Sequence, residues 1–248
     1  MAERIKVTVW NEGRHEKSNP AVREVYPDGI HAVIKGFLSL NEDMDVRTAT
    51  LDDPDHGLTD EVLNGTDVLL WWGHLAHGEV RDDIVQKIYD RVQNGMGFIA
   101  LHSAHGSKAF AKLCGTNSWE LNWREADDRS IIWPLEPNHP IAKGIGKFIN
   151  LEAEEMYGEP FGIPKPDELV FISWFEGGEV FRSGCCYYRG NGRIFYFQPG
   201  HETYRSFYVP DVQTVITNAV RWANAGTRFR ETGPREPINP IKSKQTAL

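Results

Sequence analysis

Apolar residues along this chain gather in short dense runs. Between them lie polar segments whose own apolar positions recur every three or four residues. IKVTVWN (5–11) is rich in β-branched residues and reads as a central strand. A polar loop, NEGRHEKSNP, is expected after it. From Asp28 to Leu40, the residues Ile30, Val33, Ile34, Phe37 and Leu38 keep helical spacing. DVRTATL (45–51) is a second strand. LTDEVLNG reads as a short helix capped by Thr59 and ended by Gly65. DVLLWWG (67–73) is a third strand, apolar throughout and so expected to be buried on both faces. EVRDDIVQKIYDRVQNG is an amphipathic helix that stops at Asn94-Gly95. GFIALHS is a fourth strand, and GSKAFAKLCG the helix behind it.

This βαβαβαβ order predicts an α/β fold with a doubly wound, mostly parallel sheet and helices on both faces. From about Thr116 the alternation breaks. Residues 116–160 are expected to form a β-rich elaboration beside the sheet, with strands at RSIIWPL and KFINLEA. ELVFISWF (168–175) is another strand. EVFRSGCCYYRGNGRIFYFQPG reads as a hairpin turning at Gly190-Asn191-Gly192. PDVQTVITNAVRWAN is the last helix, with Pro210 near its first turn. Residues 1–225 are expected to make one domain, and 226–248 an extended or disordered tail.

Composition narrows the function classes. The net charge is −8 and no Lys/Arg run exceeds two, which argues against a nucleic-acid partner. No apolar run approaches the ~20 residues of a membrane span. The three cysteines, Cys114, Cys185 and Cys186, do not read as a disulfide framework. With no signal peptide visible, a cytoplasmic protein is expected. The aromatic-rich CCYYRGNGRIFYF strands, taken as edges, predict a homo-oligomer that hides them. WNEGRHE holds one glycine, so the nicotinamide-dinucleotide motif is absent after the first strand.

Histidines carry the candidate chemistry. Six of the nine lie just after predicted strands, and in such sheets ligands bind off the carboxyl ends. Ala100 and Ala104 flank His102 two residues to either side, the spacing of a nucleophile elbow with the nucleophile replaced. In FYFQPGHET, Glu202 beside His201 suits an oriented base. In WWGHLAH, Gly73 permits a tight turn whose N–H groups would bind an oxyanion, and His74 and His77 have metal-ligand spacing if the turn is helical. In EAEEMYGEP, strand alternation puts Glu152 and Glu154 on one face and Glu155 on the other, one of them an inward base or ligand.

WNEGRHEK, TLDDPDHGLTDEVL, VLLWWGHLAHGEV, GFIALHSAHGSKAF, EEMYGEPFGIPKPDELVFISWFEGGEVFRSG and IFYFQPGHETY together resemble the ThuA-like, trehalose-utilisation family over about residues 5–224. The resemblance implies a flavodoxin-like sheet of the class I glutamine-amidotransferase-like superfamily. Amidotransferases of that class have Gly-x-Cys-x-Gly at the elbow and a downstream His-Pro-Glu. Here Ala100-Leu101-His102-Ser103-Ala104 falls at the elbow, Gly200-His201-Glu202 at the partner strand end, and Trp72-Gly73-His74 at the oxyanion loop. With no elbow cysteine no glutamyl thioester forms, so glutaminase activity is not expected.

The resemblance implies carbohydrate catabolism on trehalose-related disaccharides and their 3-keto derivatives. The expected enzyme works by acid/base or metal-assisted chemistry. His102 and His201 would transfer protons or, with His74, hold a divalent metal such as zinc, and Glu202 would orient His201. His15, Trp72, Gly73, His74, His105 and Glu155 would bind substrate. Two alternatives stay open: a non-catalytic sugar-binding or regulatory protein, and a hydrolase with Ser103 as nucleophile and His201 as base. A redox role would need a partner sugar dehydrogenase.

Overall fold

The computed structural model describes residues 3–116 and 119–224. The expected tail at 226–248 lies outside the described residues. Strand β1 (Ile5–Asn11) leads into two short helices, α1 (His15–Ser18) and α2 (Pro20–Val25), where a loop was expected. The Asn19 side chain accepts from Ala21 N and Pro20 pre-sets the first turn, so α2 starts despite its polar sequence. Helix α3 (Ile30–Leu38) and strand β2 (Met44–Thr50) follow. Thr59 caps α4 (Asp60–Asn64) by accepting from Val62 N, as the sequence predicts.

Strand β3 (Val68–Trp72) is buried at every position. Its two tryptophans point to opposite faces: Trp72 joins the core shared with α3, and Trp71 stacks on Trp10 at 3.7 Å on the other side. Helix α5 (Asp82–Gln93) buries Ile84, Val85, Ile88 and Val92 on that second face. Strand β4 (Gly97–Leu101) turns through a short 3-10 segment into α6 (Lys108–Cys114).

The second half continues the sheet rather than standing beside it. Strands β5 (Asn122–Pro134), β6 (Ile149–Gly158), β7 (Glu168–Phe175), β8 (Val180–Arg189) and β9 (Gly192–Phe197) precede α7 (Pro210–Ala223). All nine strands form one sheet in the order β2-β1-β3-β4-β9-β8-β7-β5-β6. Pairings from β2 to β9 are parallel, and those from β9 to β6 antiparallel. The aromatic β8–β9 hairpin is therefore central. It packs between β4 and β7, which removes the ground on which an oligomer was expected. No helix among the described residues is long and apolar enough to cross a membrane.

The topology has one consequence for function. Strands β1, β3, β4 and β9 are consecutive parallel neighbours, so their carboxyl ends form one row about 4.8 Å apart. Each is followed by one of His15, His74, His102 and His201.

Candidate functional site

The four histidines meet above that row. Ring centroids are 5.0 Å apart for His15–His74, 6.2 Å for His74–His102 and 5.4 Å for His102–His201. The His74 ring is also 5.7 Å from that of His201, so the four form a compact cluster rather than a line.

His102 occupies the apex of the β4 turn with φ 52°, a left-handed backbone that is costly for a side chain other than glycine. Ala100 and Ala104 are fully buried on either side, as the elbow spacing predicts. The ring is 0% exposed. Its Nδ1–H donates to the Gln198 carbonyl at 2.9 Å, which fixes the tautomer and presents Nε2. Nε2 faces the Tyr157 hydroxyl at 3.2 Å and Glu155 Oε2 at 2.9 Å. The carboxylate approaches off the N–H direction, so Glu155 Oε2 is buried with no hydrogen-bond partner. Burial opposes a charge on His102, but Glu155 outweighs it and lifts its pKa to about 9. Burial likewise opposes the Glu155 charge, and His102 holds that carboxyl below its usual range.

His201 Nε2 lies 3.9 Å from the same Glu155 oxygen. Its Nδ1 is 2.8 Å from Thr203 Oγ1 and 3.3 Å from Thr203 N. Burial, then repulsion from His102, holds its pKa down to about 4, which keeps the imidazole neutral. His102 Nε2, Glu155 Oε2 and His201 Nε2 all fall within 4.8 Å of one another. A second such group, His15, His74 and Glu202, adjoins it. The expected metal trio of His74, His102 and His201 is thus divided between the two.

Glu202 reaches His201 only at ion-pair distance. Its hydrogen bonds go to His74 Nδ1, at 3.1 Å and 3.3 Å, and it pairs with His15 Nε2 at 3.0 Å, against 3.6 Å to His201. Glu202 thus lies within ion-pair reach of His201 while its shorter contacts are with the histidines from two other strand ends. Burial opposes its charge, yet His15 and His74 hold the Glu202 carboxyl far below the usual range.

The loop after β3 behaves differently from an open oxyanion loop. N–H groups of His74, Leu75 and Ala76 all donate to the Glu12 carboxylate, at 2.8–2.9 Å. An internal anion already occupies the donors. Trp72 sits beneath, buried, its Nε1 donating to the Gly200 carbonyl at 3.0 Å. Ser103 Oγ donates to the Gly73 carbonyl at 2.8 Å, so its hydroxyl hydrogen is directed away from any imidazole. His77 joins neither metal-ligand group; it is buried against Trp119, and burial lowers its pKa to about 4.

Glu154 and Glu155 are both buried and Glu152 is exposed, against the expected alternation. Register shifts in the β5–β6 ladder break the period of two there. Glu154 accepts from Gly200 N, His201 N, Glu155 N and Ser206 Oγ, and burial raises its pKa.

A cavity of about 270 Å³ opens on this cluster. Its lining includes His74, Ser103, His105, Glu155, Tyr157 and His201, and its mouth Trp119, Leu121, Trp123 and Glu125. Trp119 and Trp123 are 59% and 65% exposed, so their faces are available to a ligand. Trp119 seats over Gly106, where any Cβ would meet its ring at 2.5 Å. Sequence reading missed both tryptophans, together with Glu12 and Tyr157. Glu12 had one available signal, its place one residue beyond an apolar parallel strand.

The model of the trehalose-utilisation family, ThuA, matches residues 6–223. The chain belongs to this family. Among solved structures, a ThuA-like protein from Parabacteroides merdae is similar at TM-score 0.69 and 16% identity, over 93% of each chain. A ThuA-like protein from Bacteroides uniformis gives 0.63 and 16%, over 90% of this chain and 92% of that one. A cytoplasmic protein from Salmonella typhimurium gives 0.61 and 11%, over 88% and 99%. At these identities the likeness concerns the ThuA fold alone. No curated protein matches the sequence.

Proposed function

We propose that this ThuA-family chain is an enzyme of carbohydrate catabolism. It would act on a trehalose-related sugar or keto-sugar, with a divalent ion such as zinc on His102, Glu155 and His201. The observation that carries this reading is the buried Glu155 Oε2 set between two imidazole nitrogens, one ligand atom from each of the three residues lying within 4.8 Å of the others. Two imidazole nitrogens and a carboxylate oxygen converging in a buried site are a donor set that a divalent ion takes. Two ligands each about 2.0–2.2 Å from one tetrahedral zinc ion stand roughly 3.3–3.6 Å apart, between the 2.9 Å and 3.9 Å that separate Glu155 Oε2 from the two imidazole nitrogens. The neutral state of His201 and the Gln198 contact on His102 Nδ1 also suit ligation. Such an ion supplies a Lewis acid for a carbonyl oxygen.

Trp119 and Trp123 would stack on the sugar ring, and the cavity has room for a single ring. An imidazole at the elbow, with all three cysteines buried elsewhere, leaves no thiolate for a glutaminase. The keto group would come from a separate sugar dehydrogenase, in the same cytoplasmic setting.

Metal analysis of the untagged protein by mass spectrometry, paired with deuterium exchange into 3-ketotrehalose in heavy water, tests the reading. About one chelator-removable ion per chain is expected, with exchange that needs it. Sugar binding without exchange or turnover would instead support a binding protein on this scaffold. Trp119→Ala and Trp123→Ala are each expected to raise KM about tenfold, the loss of roughly 1.4 kcal/mol of stacking, with kcat nearly kept. An unchanged KM in both would remove the tryptophans from the sugar site.

A further inference from the structure

We propose that His74 is the proton-transfer residue of this site, with Glu202 and His15 as its positioning residues. The inference rests on the keto-sugar reading above and assigns a role that reading leaves unfilled. Four histidines cluster at this sheet edge, with His74 and His201 lining the cavity, but their ring nitrogens face different ways. Nε2 atoms of His102 and His201 converge on Glu155. His15 Nε2 is spent on Glu202. His74 alone of the four has a substantially open side chain, at 29%, against 9% for His15, 0% for His102 and 3% for His201.

A carboxylate only accepts, so the Glu202 contact places the His74 hydrogen on Nδ1. In that tautomer the lone pair lies on Nε2, the nitrogen away from Glu202, on a residue that lines the cavity. This carboxylate–imidazole order is that of a general base held in one tautomer. The backbone is fixed as well, because Glu12 takes the N–H groups of His74, Leu75 and Ala76. His15 pairs with the other oxygen of Glu202, which stops the carboxylate from rotating off His74.

The step balances without a further reactant. A ketone oxygen lies against His102, Glu155 and His201, and a neighbouring carbon faces His74, whose ring is 5.7 Å from that of His201. Nε2 takes the proton from that carbon. The C–H electron pair becomes the carbon–carbon double bond, and the carbonyl pair moves to oxygen. Return of a solvent-exchanged proton from Nε2 regenerates the ketone with one deuterium.

The test is His74→Ala and His74→Gln, with 3-ketotrehalose in heavy water as the probe. Metal content and melting temperature are measured on the same samples. Both variants are expected to keep wild-type metal content and fold, while exchange falls about 10²–10⁴-fold. Added imidazole should restore part of it in His74→Ala. Glu202→Gln should lower kcat about 10–100-fold with KM kept, a split that loss of fold would not give. Exchange unchanged in folded His74 variants overturns the assignment, and so does the loss of one bound ion, which would make His74 a ligand. Wild-type protein that never exchanges the probe overturns the keto-sugar reading itself. Active wild type beside active His74 variants overturns only the role of His74.

Discussion

His102→Ala is expected to purify without the ion proposed for this site and to lose about 10³-fold of the proposed keto-sugar turnover, equivalent to roughly 4 kcal/mol of carbonyl stabilisation. Three contacts hold this ring and none of them is replaceable by a smaller side chain. Nδ1 is tied to Gln198, the face stacks on Tyr157 at 5.0 Å, and Nε2 meets Glu155. Alanine would leave two ligands for the ion and a cavity where the ring stood. It would also keep the φ of 52° at the apex, so the turn itself has no reason to change. His102→Gln serves as the partner variant, because it fills the space while it lacks the second ring nitrogen. Mass spectrometry for metal, with kcat on 3-ketotrehalose, reads the result. A folded His102→Ala protein with its full metal content would remove His102 from the ligand set.

The second large effect is on stability. Glu154→Ala should lower stability by about 3–5 kcal/mol, the usual consequence of breaking a buried charged network. For a chain of this size that is roughly 6–20 °C in melting temperature. Glu154 is 0% exposed and collects four donors: Gly200 N at 2.9 Å, His201 N at 3.2 Å, Glu155 N at 2.9 Å and Ser206 Oγ at 2.5 Å. Alanine leaves all four without an acceptor, and water has no access to them. Because two of the donors belong to the turn that presents His201, activity should fall further than stability alone explains. Glu152→Ala, two residues away, is the control: that side chain is exposed and bonds only Asn150, so a change within about 0.5 kcal/mol is expected. Thermal unfolding followed by circular dichroism compares the two. Equal melting temperatures would show that Glu154 is not the anchor of the turn.

Much of the site was legible at the level of position and little of it at the level of pairing. His102 could be placed because an elbow has a local signature, small residues at fixed distances around an apex. His15 and His74 could be placed because they follow apolar strands. Their partners could not. Glu202 stands beside His201 in sequence, 3.6 Å from its Nε2, yet its hydrogen bonds are with His74, from a different strand end. Glu12 reads as one acidic residue among many, and its role appears only once three N–H groups from a loop more than 60 residues away are seen to converge on it. Glu154 and Glu155 were misplaced because the alternation rule assumes an unbroken ladder, and this ladder shifts register.

What the sequence determined by itself is the row of strands and the residues at their ends. Local periodicity is enough for that, because apolar runs bounded by polar turns have few ways to be buried. Family membership was also visible there, in long stretches rather than any short motif. Tertiary structure alone decided which carboxylate meets which histidine. Glu155 belongs to β6, the last strand in the sheet order, yet its oxygen lies 2.9 Å from the histidine that follows β4. The antiparallel half must curl back over the carboxyl ends of the parallel half to bring them together. That curvature comes from accumulated twist and ladder irregularities over several strands, and no local stretch of residues encodes it.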